Sequence, residues 1–223
     1  GCGAQRGSRA FSGGRQMNCH FATAFVDEQG NFLDLKNRFN ISSDIAPTAG
    51  QMARGLGLAF ASKKFRENPA ICGNLSDQGR EVAFVTIGDA STSEGAFWET
   101  INAAGVLQAP LAVSVWDDGY GISVPKKYQT TKESISEVLS GFEGENGLAM
   151  HIGKAWDYPG LVQLYRKGIA QMRDSHQPAL FHIQEVTQQL GHSTSGDHRR
   201  YKSPERLAFE EQFDCNRRMA EWM

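Results

Sequence analysis

The clearest hydrophobic pattern in the chain lies between Glu81 and Ser123. Val82 to Ile87 is a mostly apolar, β-branched run, which predicts a strand buried on both faces of a parallel sheet. It stops at the small, polar turn Gly88-Asp89-Ala90-Ser91-Thr92-Ser93-Glu94-Gly95. Apolar positions then recur at helical spacing, with Phe97, Ile101 and Ala104 on one face; Ser93 is the predicted cap and Glu94 suits the first turn. Pro110 closes that helix. Leu111 to Trp116 is a second buried strand, ending at Asp117-Asp118-Gly119-Tyr120-Gly121. The whole reads as one βαβ unit with carboxylates at the carboxyl end of each strand.

The flanking pattern predicts more of the same architecture. A helix is expected from the Ile41–Thr48 segment to about Phe65, with Pro47 in its first turn and Ser43 or Asp44 as a plain cap. Gly50, Gly55 and Gly57 are costly inside it, about 1 kcal/mol each relative to Ala, which implies close backbone approach to a neighbour. Residues 66–80 are a surface loop, Pro125 to Thr131 a loop, Glu133 to Leu139 a short helix and Gly141 to Gly147 a loop. Met150 to Gly153 is a short strand. Asp157 and Pro159 open a helix to about Asp174, with Leu161, Leu164, Tyr165, Ile169 and Met172 as its core stripe. Ala179 to Val186 alternates into a last strand, and a final helix offers Phe209 and Phe213 for docking. The fold class is therefore α/β: a doubly wound, mainly parallel sheet with helices on both faces. Gly1–Gly14 is expected to be a flexible N-terminal segment, and 15–223 one α/β domain.

Ligands of open parallel sheets bind outside the carboxyl ends of the strands. The turn after the first strand offers backbone N–H groups and a helix N-terminus, which suit a phosphate. Carboxylates there repel a phosphate directly but can hold a divalent cation that bridges to it, and magnesium is commonly held in this way. The alternative is that Asp89 caps the helix and Asp117-Asp118-Gly119 is an ordinary turn. Composition narrows the classes. The 223 residues carry a net charge of −2 and 40% hydrophobic residues, which argues for neither nucleic acid nor an anionic membrane surface. No apolar run approaches membrane-spanning length, and the first residues lack the apolar core of a secretory signal. Cys2, Cys19, Cys72 and Cys215 are scattered without CxxC spacing, as expected of free thiols in a cytoplasmic protein.

Gly88-Asp89, a spacer of 26 residues from Ser91 to Trp116, and a paired acid before Gly119 resemble the thiamine-diphosphate fingerprint GDG…NN. With SGGRQMNCHF, SSDIAPTAGQ and GHSTSGDHRRYKS, the resemblance narrows to the α subunit of the 2-oxo acid dehydrogenase decarboxylating component, or the α half of a fused bacterial α/β chain, of branched-chain (2-oxoisovalerate) or pyruvate type. The departures are Ala90 for the glycine at the third position of GDG, Asp117-Asp118 for the Asn pair and Trp116 before them. An added charge about 5 Å from the diphosphate costs about 3 kcal/mol at an effective dielectric of about 20, which the cation must offset.

The resemblance implies thiamine diphosphate held by Gly88, Asp89, Ala90 and Ser91, with Ser43 and Ile45 near its rings. It implies Mg2+ on Asp89, Asp118 and the Tyr120 carbonyl, and in some relatives K+ in the Ser43 turn. His192 is the implied catalytic residue, on a mobile loop facing the thiazolium, where a histidine can exchange protons near neutral pH; the serine after it, Ser193, is phosphorylated in some relatives. The implied activity is oxidative decarboxylation of a 2-oxo acid, a branched-chain acid ahead of pyruvate, with acyl transfer to a lipoyl-bearing acyltransferase. A β subunit or β half completes the active site. The family's upstream Tyr-Arg segment is missing, so the chain is expected to be part of a longer polypeptide. Two other readings remain at this point: a non-catalytic structural or docking fragment of such an enzyme, and a magnesium-dependent phosphohydrolase using Asp89, Asp117 and Asp118. A serine hydrolase is weak, because Ser195 stands where a nucleophile elbow closes with glycine. For His20 the plain reading is a partly buried surface-loop residue.

Overall fold

The structure, a computed structural model, describes residues 22–36, 39–42, 47–189, 192 and 197–223. The segment 1–14, His20, Ser43, Asp44, Ile45, Gly191, Ser193, Ser195 and Gly196 lie outside the described residues. The elements in chain order are α1 (Gln51–Glu67), β1 (Ala83–Gly88), α2 (Gly95–Leu107), β2 (Leu111–Trp116), β3 (Tyr120–Gly121), β4 (Val124–Pro125), α3 (Ile135–Val138), β5 (Ala149–Lys154), α4 (Tyr158–Ser175), β6 (Ala179–Gln184), α5 (Pro204–Gln212) and α6 (Cys215–Trp222), with short 3-10 turns between them.

Four strands form one parallel sheet in the order β1-β2-β6-β5. Strand–helix–strand crossovers are right-handed, so the direction of travel across the sheet decides which face the connection covers. The chain moves one way from β1 through β2 to β5, and α1, α2 and α3 share one core with the β2 side chains Leu111, Val113 and Val115. It returns from β5 to β6, and α4 lies on the opposite face: Leu161, Leu164, Tyr165, Ile169 and Met172 pack with Ala112, Phe181 and Ile183. This is the doubly wound arrangement read from the pattern. The connections leaving β2 and β6 diverge to opposite faces, and the gap between those two strand ends is where such sheets bind ligands.

The large side chains Phe97 and Phe181 are fully buried, one in each core, and truncating either to alanine costs about 3–5 kcal/mol. A Cβ on Gly55 would collide with Val85 Cγ1, so α1 requires glycine where it crosses β1. The same argument fails at Gly57, where a Cβ would meet nothing within 4 Å. Pro47 precedes α1 by a turn and is not part of it.

Several local expectations are corrected. Strand β1 is not buried on both faces: Phe84 is 48% exposed, because α4 packs over β5 and β6 and β1 is an edge of this sheet. Strand β6 does not alternate; Ala179 to Ile183 are all buried because the strand lies inside the sheet with helices on both sides. Ser93 does not cap α2, since a 3-10 turn, Ala90–Ser93, intervenes and Glu94 occupies the cap position. The segment after Asp118 forms the β3–β4 hairpin, and the end of the chain forms two helices. Asp157 does cap α4, accepting from Gly160 N at 3.1 Å.

Candidate functional site

Register brings the acidic turns together. Gly88 pairs with Trp116, and Trp116 with Ile183. Asp89 and Asp117-Asp118 therefore leave the sheet at the same level. Asp89 N–H donates to the Trp116 carbonyl at 3.1 Å and Asp117 N–H to the Ile183 carbonyl at 2.8 Å. All three carboxyl groups are buried. The Asp89 side chain makes no capping hydrogen bond, so the plain reading of Asp89 as a helix cap does not hold. Its Oδ2, and that of Asp118, are buried without a hydrogen-bond partner. Burial first, then the charges of Asp117 and Asp118, push the Asp89 carboxyl up to about 8. Burial likewise raises Asp118 above the usual carboxylate range.

Asp117 differs. Its Oδ2 accepts from Lys126 Nζ at 2.9 Å and from His182 Nε2 at 3.0 Å, and His182 Nδ1 lies 2.8 Å from Ser136 Oγ. Burial alone would raise its pKa, but the hydrogen bonds from His182 and Lys126 outweigh it and hold Asp117 below the ordinary value. An ionised carboxylate only accepts, so His182 Nε2 carries the proton it donates. The set has the residue types of a hydrolytic triad, yet Ser136, His182 and Asp117 are 4%, 0% and 3% exposed. A substrate cannot reach that serine.

The β3–β4 hairpin aims the remaining donor. Lys126 N–H donates to the Gly119 carbonyl and Gly121 pairs with Val124, so the intervening Tyr120–Pro125 pair is the non-bonded one of the alternation. The Tyr120 N–H and carbonyl then face away from the partner strand, and the N–H meets Asp118 Oδ1 at 3.1 Å. The carbonyl shares that side. A Cβ on Gly121 would come within 2.8 Å of the Ala90 methyl, so the two turns abut. His192 Nε2 lies 3.5 Å from Asp118 Oδ2, within ion-pair reach but without hydrogen-bond alignment, and its side chain is 33% exposed.

These groups fit a divalent cation. Two buried carboxylates each have a free oxygen, and a cation between them would favour the ionised form of Asp89 that burial, and then the neighbouring charges, oppose. Among the described residues no group of three or more His, Cys, Asp or Glu is arranged to hold a metal. A metal here would therefore draw on the carbonyl and on a ligand's oxygens to complete its shell, as magnesium does with phosphates. Gly88, Ala90 and Ser91 line the adjoining turn, with Gly88 exposed and Ala90 and Ser91 half-buried.

The model of the dehydrogenase E1 component family matches residues 16–223. The chain belongs to that family. It is 27% identical over 197 residues to the 2-oxoisovalerate dehydrogenase subunit alpha of Bacillus subtilis, covering 88% of this chain and 50% of that protein. Over 162 residues it is 30% identical to the 3-methyl-2-oxobutanoate dehydrogenase subunit alpha of Mycobacterium tuberculosis, covering 72% and 39%. Over 118 residues it is 30% identical to the pyruvate dehydrogenase E1 component subunit alpha of Staphylococcus aureus, covering 51% and 28%. The chain thus spans half or less of the length of these relatives. The E1 resemblance read from its motifs stands, and the relatives are named as α subunits.

Sequence reading did not find Ser136, His182 and Lys126. The trace was a histidine within the otherwise apolar run Ala179–Ile183, two residues before the strand's carboxyl end. It also missed Glu210, a helix glutamate with no local sign of burial.

Proposed function

We propose that this chain is the α-subunit-like part of a thiamine-diphosphate-dependent 2-oxo acid dehydrogenase, and that it anchors the cofactor's diphosphate through Mg2+. The observation that carries the reading is the pair of buried carboxylates, Asp89 and Asp118, each with an unpartnered Oδ2, at adjacent parallel strand ends. Asp89, Asp118 and the Tyr120 carbonyl would hold the metal, with Gly88, Ala90 and Ser91 along the diphosphate. Ser43 and Ile45 would border the rings, and K+ would sit in their turn. When bound, thiamine diphosphate supplies the carbanion stabilisation that lets a 2-oxo acid lose carbon dioxide.

The chain's own part is to bind, orient and exchange protons. Asp117, held by Lys126 and His182, fixes the turn that carries Asp118. His192 faces Asp118 and is exposed enough to exchange a proton with a bound substrate; it is the catalytic residue of this reading. The substrate is a branched-chain 2-oxo acid, in line with the names of two of the three relatives above. The acyl group passes to a lipoyl-bearing acyltransferase, and a β subunit or β half completes the site. A cytoplasmic location goes with the free thiols of Cys72 and Cys215. The phosphohydrolase alternative needs Asp117 as a third ligand, and Lys126 and His182 occupy its Oδ2.

Calorimetry of thiamine diphosphate binding with and without Mg2+, on the chain together with its β partner, tests the reading. Binding that needs Mg2+ is expected. Magnesium-dependent phosphatase activity without cofactor binding would overturn it.

A further inference from the structure

Helix α5, which follows the His192 segment, turns a carboxylate inward: Glu210 is 1% exposed. A buried carboxylate is costly unless cations meet it. Lys202 Nζ lies 2.8 and 2.9 Å from its two oxygens, and Arg206 Nε, one helical turn earlier, lies 2.8 Å from Oε1. Both cations also reach the turn after β2. Arg206 Nη2 donates to the Asp118 carbonyl at 3.4 Å, and Lys202 Nζ sits 5.2 Å from the centre of the Tyr120 ring. Gln189, just before His192 in the chain, donates from Nε2 to the Glu210 carbonyl at 3.3 Å. Lys202, further along the chain on the other side of His192, also donates to the Gln188 carbonyl at 3.4 Å. Through Lys202 and Arg206 one buried carboxylate thus reaches the Gln188 carbonyl before the His192 segment, Lys202 after it, the Asp118 carbonyl and the Tyr120 ring, while Gln189 meets the main chain of the same residue.

We propose that Glu210 is a positioning residue for the candidate site: through Lys202 and Arg206 it holds the Asp118–Tyr120 turn and the two flanks of the His192 segment in one geometry. Stability alone does not account for the cluster, because apolar groups of similar volume often replace a buried ion pair without loss. The contacts made onward to Asp118 and Tyr120 are what an apolar cluster could not supply. The inference rests on the metal–diphosphate reading above.

The test uses the chain assembled with its β partner, thiamine diphosphate and Mg2+ as probes, and calorimetry and thermal melting as readouts. The double variant Lys202→Met/Glu210→Met removes one charge of each sign, so the net charge beside Asp118 is unchanged. It is expected to melt near the wild-type temperature while the Mg2+ concentration for half-maximal cofactor binding rises about tenfold, as when outer supports of a metal site are lost. Wild-type Mg2+ dependence in a folded double variant overturns the proposal. Should the double variant not fold, Arg206→Lys decides. It keeps the charge but not the planar fork that spans Glu210 and the Asp118 carbonyl; a several-fold rise supports the proposal and an unchanged value overturns it. Asp89→Ala serves as control. Magnesium-dependent binding that survives in Asp89→Ala refutes the metal reading itself, a result distinct from either outcome at Glu210.

Discussion

Asp117 and Asp118 are neighbours in the chain, and each has a histidine beside it, yet the two pairs do different work. Asp117 meets His182 inside the sheet, where Ser136 backs the ring and Lys126 supplies a second donor. Every partner is present, so the pair is closed. Asp118, at the next position of the turn, is buried as well but lacks such partners. His192 stands 3.5 Å away, part-exposed, and the Asp118 Oδ2 has no hydrogen bond. That pair is open to a ligand. Both acids lie in the turn just past β2, and the difference between them is one of partners: a β6 histidine meets Asp117, and none forms a hydrogen bond with the Asp118 Oδ2. A triad of residue types is therefore a support, and the less complete pair is the candidate for chemistry.

The largest expected break in this comparison is at the open histidine. In the complete α/β assembly His192→Ala should cut acyl transfer to the lipoyl carrier by about 10²–10⁴-fold, the span for losing a positioned acid–base group. Cofactor affinity should barely move, and steady-state rates with a lipoyl domain check both. Wild-type turnover would take His192 out of the mechanism. Next is Asp89→Ala, which should abolish magnesium-dependent cofactor binding by calorimetry while the chain stays folded, since Asp89 supplies charge and not core.

At the closed pair the effect moves to stability. His182→Leu leaves the buried Asp117 carboxylate short of a partner and should cost about 1–3 kcal/mol in urea unfolding. His192→Ala, on the surface, should cost under about 0.5 kcal/mol in the same assay. Equal costs would mean that the open pair is structural too. A finer cut is Asp118→Asn against Asp118→Ala. The amide still offers an oxygen, so Asn should bind cofactor within a few-fold of wild type and Ala should not; equal loss would show that the charge itself is required.

The smallest effect is a pH background set by two histidines outside the site. Burial lowers the pKa of His176, whose Nε2 meets the Gly79 carbonyl at 2.7 Å, and of His151, stacked on Phe181. A histidine held neutral by folding takes up its proton more readily when unfolded. Their stabilising contribution is therefore present above the unfolded value, about 6.5, and is lost as the pH falls below it through their lowered folded values. Asp89 and Asp118, whose carboxyls are raised by burial, work in the opposite direction, so the histidine contribution is read as a difference: the melting-temperature advantage of wild type over His176→Gln should shrink as the pH falls from 7.5 to 5. An advantage that grows as the pH falls would reverse that sign.

The sequence by itself determined the βαβ unit, its strand ends and the acids on them. Leu111–Trp116 is continuous and apolar, Gly88-Asp89 and Asp117-Asp118-Gly119 break the runs, and those signals are local. The family resemblance of its motifs named Asp89, Asp118, Tyr120 and His192 as one candidate constellation, and the fold sets Asp118 beside the Tyr120 N–H and His192. Sequence alone could not rank Asp117 against Asp118, because the ranking depends on β6 lying beside β2, a pairing made 65 residues away at His182. Nor could it see that β1 is an edge strand, or that the hairpin after Gly119 turns the Tyr120 carbonyl outward. Glu210 reads in sequence as one more exposed helix glutamate; only the docking of α5 against the Asp118 turn buries it with Lys202 and Arg206. Local pattern fixes which residues end each strand. Which of those ends keeps a free oxygen is decided by partners brought from distant parts of the chain, because a buried polar group is settled by what packs against it and not by its neighbours in sequence.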